Sequence, residues 1–308
     1  MSEVPIPGQL VMVFAEECDR GKLREENQDT VWHARIALGE LLIVADGIGG
    51  YLGGATASQM AVKGFHKYLA NLAQDYPPDR AIREASECTN ANILAEAHSL
   101  NSDFRRMGST VVLALLQQDT SGTRVWIGHI GDSRAYLVRA GQLSRLTNDH
   151  SAVQALLNRN LITPLEALHH PDGSVLTRSL GHKPEVEIDI NMFPLVDGDS
   201  LILCSDGLWG YVPEKNIQMV AANPELTLEI AARTLLNLAL AAGGPDNIGI
   251  EIVRLSSPPI AVAQAVKEPH RHGLMEILAL CLLAIAGLGT LAYFVTQHHW
   301  LHTLQHLR

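Results

Sequence analysis

Aspartates at the ends of apolar, strand-like runs most constrain what this chain can fold into. The acidic segments are four, at 44–50, 131–134, 204–209 and 243–247, and all but 131–134 directly precede or follow such a run. A carboxylate held at the end of a rigid strand and followed by a Gly turn is well placed to bind a hard cation. Several crowded carboxylates repel one another unless a divalent metal neutralises them. A single Asp-Gly pair is equally typical of a turn between strands, whereas the ordered set of four favours a metal site.

The pattern of apolar residues predicts more strands than helices. Aliphatic and β-branched runs predict strands at 9–16, 31–38, 41–45, 110–116, 123–130, 135–139, 142–145, 186–191, 200–204 and 247–253. Helical spacing predicts helices at 55–73, 78–99, 213–222 and 226–241. Residues 150–182 contain no convincing strand and are expected to form one or two short helices and a polar loop. Because short turns join most of the strands, antiparallel sheets with helices packed outside are expected.

Composition excludes several classes of protein. A formal charge of -10 argues against nucleic acid as a partner, because binding to a phosphate backbone needs clustered Lys and Arg. The four cysteines are widely spaced without a CxxC pair, so neither a zinc site nor a disulfide framework is indicated. The first residues lack the charged and apolar regions of a signal peptide, and a reducing cytosol is expected.

The ordered series of motifs resembles the PPM family of metal-dependent Ser/Thr protein phosphatases (type 2C) in its bacterial form. The resemblance covers roughly residues 8–255 and is carried by the segments 18–21, 24–29, 45–50, 108–110, 131–134, 146–150, 205–207 and 245–247. It implies an α+β fold, a four-layer α-β-β-α sandwich of two antiparallel sheets flanked by helices, with the metal site in a cleft at one edge. It also implies hydrolysis of phospho-Ser and phospho-Thr by a water activated by two Mn²⁺ or Mg²⁺ ions, with a weaker third ion in many members.

The resemblance assigns metal ligands residue by residue. In the family, the Asp of the first Asp-Gly pair bridges both metals and the following Gly lends its carbonyl, which places these roles on Asp46 and Gly47. Asp206 and Asp246 match further ligands of one metal. A set of carboxylates, one carbonyl and waters suits Mg²⁺ or Mn²⁺.

Three further positions complete the expected site. Asp29 matches the acidic residue that lies in the outer shell or on a metal-bound water. Asp132 matches the position that many members use for the weaker third metal. Arg24 is the expected phosphate contact because its planar fork suits phosphate oxygens, although its residue type alone is equally typical of a surface arginine.

The chain departs from the family pattern at two positions. Ile48 stands where many eukaryotic members have a His that protonates the leaving group, so the general acid is unassigned. Gln28 stands where an acidic residue is frequent, which removes a charge near the metals.

Other polar residues near these motifs have structural interpretations. Ser109 and Thr110 begin an apolar strand without the surrounding GxSxG of a nucleophile elbow and are expected to be structural. His129 is expected to be a satisfied strand residue. Asp149 and His150 are expected to end a strand and cap the following helix.

The C-terminal region predicts a membrane anchor. After a catalytic domain at 1–255 and a linker at 256–273, residues 274–295 form an apolar run long enough to span a bilayer. Lys267 and Arg271 favour a cytoplasmic catalytic domain on a single-pass protein of the inner (cytoplasmic) membrane, with 296–308 as a short extracytoplasmic tail. The histidines of this tail fit either a metal ion or an amphipathic interfacial segment.

The sequence supports an enzyme most directly. The expected function is a membrane-tethered phosphatase of phosphoproteins that opposes a bacterial Ser/Thr protein kinase. The alternative is a catalytically weak or dead phosphatase-like domain that binds phosphoproteins as a regulatory module.

Overall fold

The computed structural model describes residues 9–99, 107–167 and 170–258. The strands are β1 Val11–Asp19, β2 Asp29–Ile36, β3 Gly39–Ile48, β4 Gly108–Ser109, β5 Val111–Asp119, β6 Gly122–Ile130, β7 Arg134–Arg139, β8 Gln142–Arg145, β9 Asp189–Leu195, β10 Ser200–Cys204 and β11 Ile248–Ser256. The helices are α1 Gly50–Ala70, α2 Pro78–Ser99, α3 Ala152–Asn158, α4 Pro164–Ala167, α5 Asp206–Trp209, α6 Glu214–Ala221 and α7 Leu228–Ala241.

The strands form two antiparallel sheets. The first has the order β1-β11-β10-β7-β8 and the second the order β2-β3-β5-β6-β9, with β4 paired to the end of β3. Strands distant in sequence become neighbours in the first sheet, since β11 lies between β1 and β10. Motifs from both ends of the described chain therefore reach one edge of the sandwich.

Alternation along the strands divides the apolar residues among three layers. On β11, Val253 and Leu255 pack between the two sheets, whereas Ile250 and Ile252 face the helices that cover the first sheet. The second sheet is covered by α1 and α2 and the first by α6 and α7. The prediction of two antiparallel sheets flanked by helices is confirmed.

Local signals explain where several helices begin. The helix α2 begins at Pro78, where a proline lacks an amide that would be unpaired anyway, and it follows the predicted bounds at both ends. The helix α7 begins after Thr227, whose hydroxyl accepts a hydrogen bond from the Ile230 amide. The two short helices expected within 150–182 are present as α3 and α4.

The helix α1 begins earlier than its predicted start at residue 55. It begins at Gly50, within a Gly-rich stretch that is typical of a loop. The glycines instead allow close packing, because a Cβ on Gly47 would collide with the carbonyl of Gly54 on α1. The short elements β4 and α5 were not predicted, since elements of two and four residues carry no readable period.

Within the described ranges, no helix combines the length and apolar character needed to cross a membrane. The expected span at 274–295 and the tail at 296–308 lie outside the described residues, as does all but the start of the linker at 256–273.

Candidate active site

Five aspartates converge at one edge of the sandwich and are called the aspartate cluster below. Asp29 begins β2, Asp46 lies near the end of β3, and Asp132 lies in the turn between β6 and β7. The other two members, Asp206 and Asp246, follow β10 and precede β11. Four of the five, all but Asp29, line a cleft of about 770 Å³ together with Arg24 and Gly47.

The backbone of Asp46 is held on both sides. Its amide donates to the Thr110 hydroxyl at 2.9 Å, and its carbonyl accepts from the Thr110 amide at 2.8 Å. The Ser109 hydroxyl donates to the same carbonyl at 3.1 Å. Since the Thr110 hydroxyl also lies 2.7 Å from that of Ser133, this contact links Asp46 to the residue after Asp132. Ser109 and Thr110 thus have structural contacts, as predicted.

Asn247 fastens the loop that carries Arg24 to the loop that carries Asp246. Its side-chain amide donates to the carbonyls of Arg20 and Glu26 at 2.9 and 2.8 Å. Its oxygen accepts from the Gln28 amide at 2.9 Å. With these bonds the buried Asn247 uses both of its donors and its acceptor, which fixes the loop over the edge of the sandwich.

Arg24 reaches the cluster from this loop. Its Nη2 lies 2.8 Å from Asp246 Oδ2, and half of its side chain, 51%, remains exposed. The structure therefore places the expected phosphate contact beside an expected metal ligand, in the same cleft.

The aspartate cluster concentrates negative charge. Burial raises the pKa of four members above the usual value of an Asp carboxyl, and repulsion from neighbouring carboxylates adds to the shift; these members are Asp29, Asp46, Asp132 and Asp206. The hydroxyl of Ser205 donates to Asp29 Oδ2 at 2.6 Å, whereas the buried Oδ1 has no hydrogen-bond partner among the described residues. Oxygen donors at this charge density fit hard divalent cations such as Mn²⁺ and Mg²⁺.

Known proteins are similar to this chain over the same region. The family profile described as Protein phosphatase 2C matches residues 22–238. The chain belongs to the protein phosphatase 2C family. The resemblance expected from the ordered motifs is confirmed.

Curated relatives and solved structures agree with the family. Serine/threonine protein phosphatase PstP of Mycobacterium tuberculosis is 37% identical over 246 residues, which cover 79% of this chain and 45% of PstP. The chain therefore spans less than half the length of this relative. Serine/threonine phosphatase stp of Listeria monocytogenes is 35% identical over 240 residues, covering 76% of this chain and 92% of that protein. A crystal structure of the PstP catalytic domain in complex with two manganese ions matches with a TM-score of 0.70 at 33% identity, covering 81% of this chain and all of that one.

A second polar group lies beside the aspartate cluster of this phosphatase 2C domain. The ligand atoms of His129, His150 and Asp189 lie within 4.8 Å of one another. The two imidazoles stack with ring centres 4.6 Å apart. His129 Nε2 lies 3.0 Å from the Asn148 carbonyl, and His150 Nδ1 accepts from the Gly131 amide at 3.1 Å. Each ring thus has one nitrogen in a hydrogen bond to the backbone, and the two histidines hold the turn before Asp132. The prediction that His129 is a strand residue with its hydrogen bond satisfied is confirmed.

The expected helix cap at Asp149 and His150 is wrong. Ser151 caps α3 by accepting a hydrogen bond from the Gln154 amide, and Asp149 instead pairs with Arg134. The strand β8 ends earlier, at Arg145. Asp149 lies three positions before the first residue of α3, so it is outside the cap and makes a tertiary contact instead.

The other wall of the cleft in this phosphatase 2C domain comes from an irregular segment, residues 174–187. Arg178 is tied to Asp189 and to the Glu187 carbonyl. His182 accepts or donates a 2.5 Å hydrogen bond with Ser179. Sequence patterns did not single out these residues, because a segment without a helical or strand period gives no indication of which side chains face a cleft.

Proposed function

We propose that this phosphatase 2C domain hydrolyses phospho-Ser and phospho-Thr in phosphoproteins, with two Mn²⁺ or Mg²⁺ ions bound by the aspartate cluster and room for a weaker third ion. The observation that carries the proposal is the convergence of five carboxylates from both sheets at one edge of the sandwich, four of them in one cleft with Arg24. Such crowding is unfavourable in the protein alone and becomes favourable with bound cations.

The cluster divides into residues with different expected roles. Asp46 would contribute ligand oxygens to both ions, and the carbonyl of Gly47 would contribute one more. Asp206 and Asp246 would act as further ligands, and Asp132 would hold the third ion together with Asp206. Asp29, whose Oδ1 has no hydrogen-bond partner among the described residues, would accept from a water near the ions.

The chain's own groups bind and orient the phosphate. Bound divalent cations supply a water of lowered pKa and offset the charge of the phosphate dianion. Arg24 extends from an anchored loop, and its half-exposed guanidinium can exchange its bond to Asp246 for phosphate oxygens. The backbone hydrogen bonds of Asp46 to Ser109 and Thr110 hold its carboxylate in position for the ions.

The binding-module alternative is not favoured. A domain that only docks phosphoproteins has no need to keep Asp46, Asp206, Asp246 and Arg24 together in one cleft. The named relatives are also phosphatases.

Hydrolysis of a phosphoserine peptide tests the enzyme directly. Release of phosphate should require added Mn²⁺ or Mg²⁺ and stop with excess chelator. Full activity in chelator would overturn the metal-dependent mechanism. Binding of the peptide without release of phosphate would favour the docking module.

We also propose that the domain is tethered to the inner (cytoplasmic) membrane by residues 274–295 and faces the cytoplasm, where it opposes a Ser/Thr protein kinase. Support comes from the apolar run after a Pro-containing linker and from the basic residues before it. Tethering raises the effective concentration of membrane-associated substrates.

Fractionation tests the tether. The full chain should stay with membranes in high salt and be released only by detergent, whereas residues 1–258 should be soluble and equally active on a small aryl phosphate. Release of the full chain by salt would contradict the span. A protease added to intact cells from which the outer membrane has been removed should not reach the catalytic domain. Digestion of that domain would contradict its placement on the cytoplasmic side.

A further inference from the structure

The proposed function leaves one chemical requirement unassigned. When the bond between phosphorus and a serine oxygen breaks, the leaving alkoxide needs a proton, because a serine hydroxyl is a very weak acid. Ile48 lines the cleft but carries no proton to give. Another group near this position must supply it.

His182 lies beside that position although it is more than a hundred residues away in sequence. Gly108 on β4 is paired directly with Ile48 on β3. The imidazole of His182 packs over Gly108, since a Cβ placed there would lie 2.7 Å from His182 Cε1. Paired residues of neighbouring antiparallel strands have Cα atoms about 4.5–5.5 Å apart, so the ring lies next to the position of Ile48. His182 is the only imidazole among the described residues that line the cleft.

The segment that carries His182 is held in place from two sides. Leu180 exchanges two backbone hydrogen bonds with Ser109 of β4, at 2.9 and 3.1 Å. From α2, the buried side chain of Asn90 accepts from the Gly181 amide at 2.8 Å and donates to the Lys183 carbonyl at 2.8 Å. A ring on such a segment has a fixed position relative to the aspartate cluster, which proton transfer requires.

The two ring nitrogens of His182 have different surroundings. Nδ1 is bonded to the Ser179 hydroxyl at 2.5 Å, whereas no described residue is hydrogen-bonded to Nε2. The paired residues of β3 and β4 that pack near the ring, Ile48 and Gly108, carry no charge. The charged residues closest to it in sequence are Lys183 and Glu185, both exposed on its own segment. His182 is exposed to the cleft, and the partial loss of hydration of its ring there lowers its pKa, which makes the imidazolium a stronger acid.

We propose, on the basis of the proposed function, that His182 is the proton donor to the leaving group. The imidazolium gives the proton on Nε2 to the serine or threonine oxygen as the bond between phosphorus and oxygen breaks. The bonding electron pair stays on that oxygen, which leaves as a neutral alcohol. The neutral imidazole then takes a proton from water before the next turnover.

The test compares leaving groups that differ in their need for a proton. His182→Gln and wild-type protein are assayed with Mn²⁺ on a phosphoserine peptide and on p-nitrophenyl phosphate, whose leaving group departs without protonation. A general acid contributes about 10²–10⁴-fold, so kcat on the peptide should fall by about that factor. The rate on p-nitrophenyl phosphate should stay within about threefold. The matched control is His98→Gln, the same change at an exposed histidine on α2 away from the cleft, which should alter neither rate.

A series of aryl phosphates gives a second readout. The rate of His182→Gln should depend more steeply on the pKa of the leaving group than the wild-type rate does. Equal losses on both substrates would overturn the proposal, because they would show that the ring only shapes the cleft. An unchanged rate on the peptide, or a change in KM alone, would overturn it as well. Wild-type hydrolysis of p-nitrophenyl phosphate reports on the proposed function separately; its absence would remove both proposals.

Discussion

The aspartate cluster and the Arg134–Asp149 ion pair lie near each other, and both contain buried carboxylates. The negative charge of these carboxylates is balanced differently in the two places. Asp149, whose side chain is 5% exposed, receives hydrogen bonds from Arg134 at 2.6, 3.0 and 3.2 Å. The guanidinium also stacks on Trp209, with 3.4 Å between its carbon and the ring centre. The cluster has Arg24 as a contacting cation, and that side chain is half exposed.

A third arrangement occurs in the layer between the sheets. Glu251 on β11 is fully buried, and neither of its carboxylate oxygens has a hydrogen-bond partner among the described residues. Burial raises its pKa to about 9, and the carboxylate of Glu16 on the neighbouring strand adds to the shift. A proton therefore neutralises Glu251, an arginine neutralises Asp149, and the cleft leaves the aspartate cluster accessible to cations.

This comparison separates function from stability. A buried carboxylate that is paired with a cation of the protein stabilises the fold. Loss of that pair should destabilise the protein without a specific effect on catalysis. The carboxylates of the aspartate cluster have one half-exposed arginine as a contact and repel each other, so the loss of one of them should stop catalysis while leaving the fold intact or more stable.

Asp46→Asn should have the largest effect on activity. We expect a loss of at least about 10³-fold in kcat/KM, or about 4 kcal/mol, because the change weakens the shared ligand of both expected ions. The melting temperature without metal should stay the same or rise, since a repulsive buried charge is removed. Steady-state kinetics and calorimetry check the two outcomes. Asp75→Asn, at an exposed aspartate, is the control; activity near the wild-type level in Asp46→Asn would mean that Asp46 is not a ligand.

Arg134→Leu should have the largest effect on stability. Removal of one partner of a buried ion pair costs about 3–5 kcal/mol. Asp149 would be left buried with the longer contact to Arg145, whose Nη1 lies 3.6 Å from Asp149 Oδ2. Denaturant unfolding measures this loss. The matched control is Arg35→Leu, which breaks the pair of an arginine that is 79% exposed with Glu40 and should cost less than about 1 kcal/mol. Equal costs for the two variants would show that burial does not distinguish these pairs.

Arg24→Ala tests the half-exposed arginine that contacts the aspartate cluster. Losing a charge-assisted contact to phosphate costs about 1.5–3 kcal/mol, or roughly ten- to a hundred-fold in kcat/KM, mainly through KM. Binding of Mn²⁺, followed by calorimetry, should remain. An unchanged KM and kcat would show that Arg24 does not contact substrate, and loss of Mn²⁺ binding would show that it instead supports the ligands.

Glu251→Gln should remove a pH dependence of stability. The pKa of Glu251 in the folded protein, about 9, lies above the value of about 4.3 in an unfolded chain. The stabilisation from its bound proton is therefore complete below about pH 4.3 and is lost as the pH rises through about 9, by up to about 1.4 kcal/mol per pH unit. The fall in the free energy of unfolding between pH 7 and pH 8 should be smaller in the variant than in the wild-type protein, and the aspartate cluster accounts for the part that remains. Glu225→Gln, the control at an exposed residue, should keep the wild-type dependence of stability on pH. If Glu251→Gln also keeps the wild-type dependence, the titrating group is a different residue.

Local periodicity made much of the fold predictable. The apolar stripe of α2 and the alternation of β6 depend on neighbours within a few residues, so the predicted bounds lie within a residue of those in the structure. Asp46 and Asp206 could be named as site residues for a related reason, since a strand that ends in Asp-Gly is readable without its neighbours. The interpretation of Asp149 failed because its partner comes from β7 rather than from the following helix.

The sequence by itself determined the family, the alternation of strands and helices, and the acidic positions at strand ends, because each is written in short segments. Only the tertiary structure decided which buried carboxylates have a partner and which do not. It placed His182 against Gly108, fastened the Arg24 loop with Asn247, and enclosed Glu251 between two sheets. These outcomes depend on the register between strands that are far apart in sequence, and shifting a strand by one residue would turn every one of its side chains to the other face.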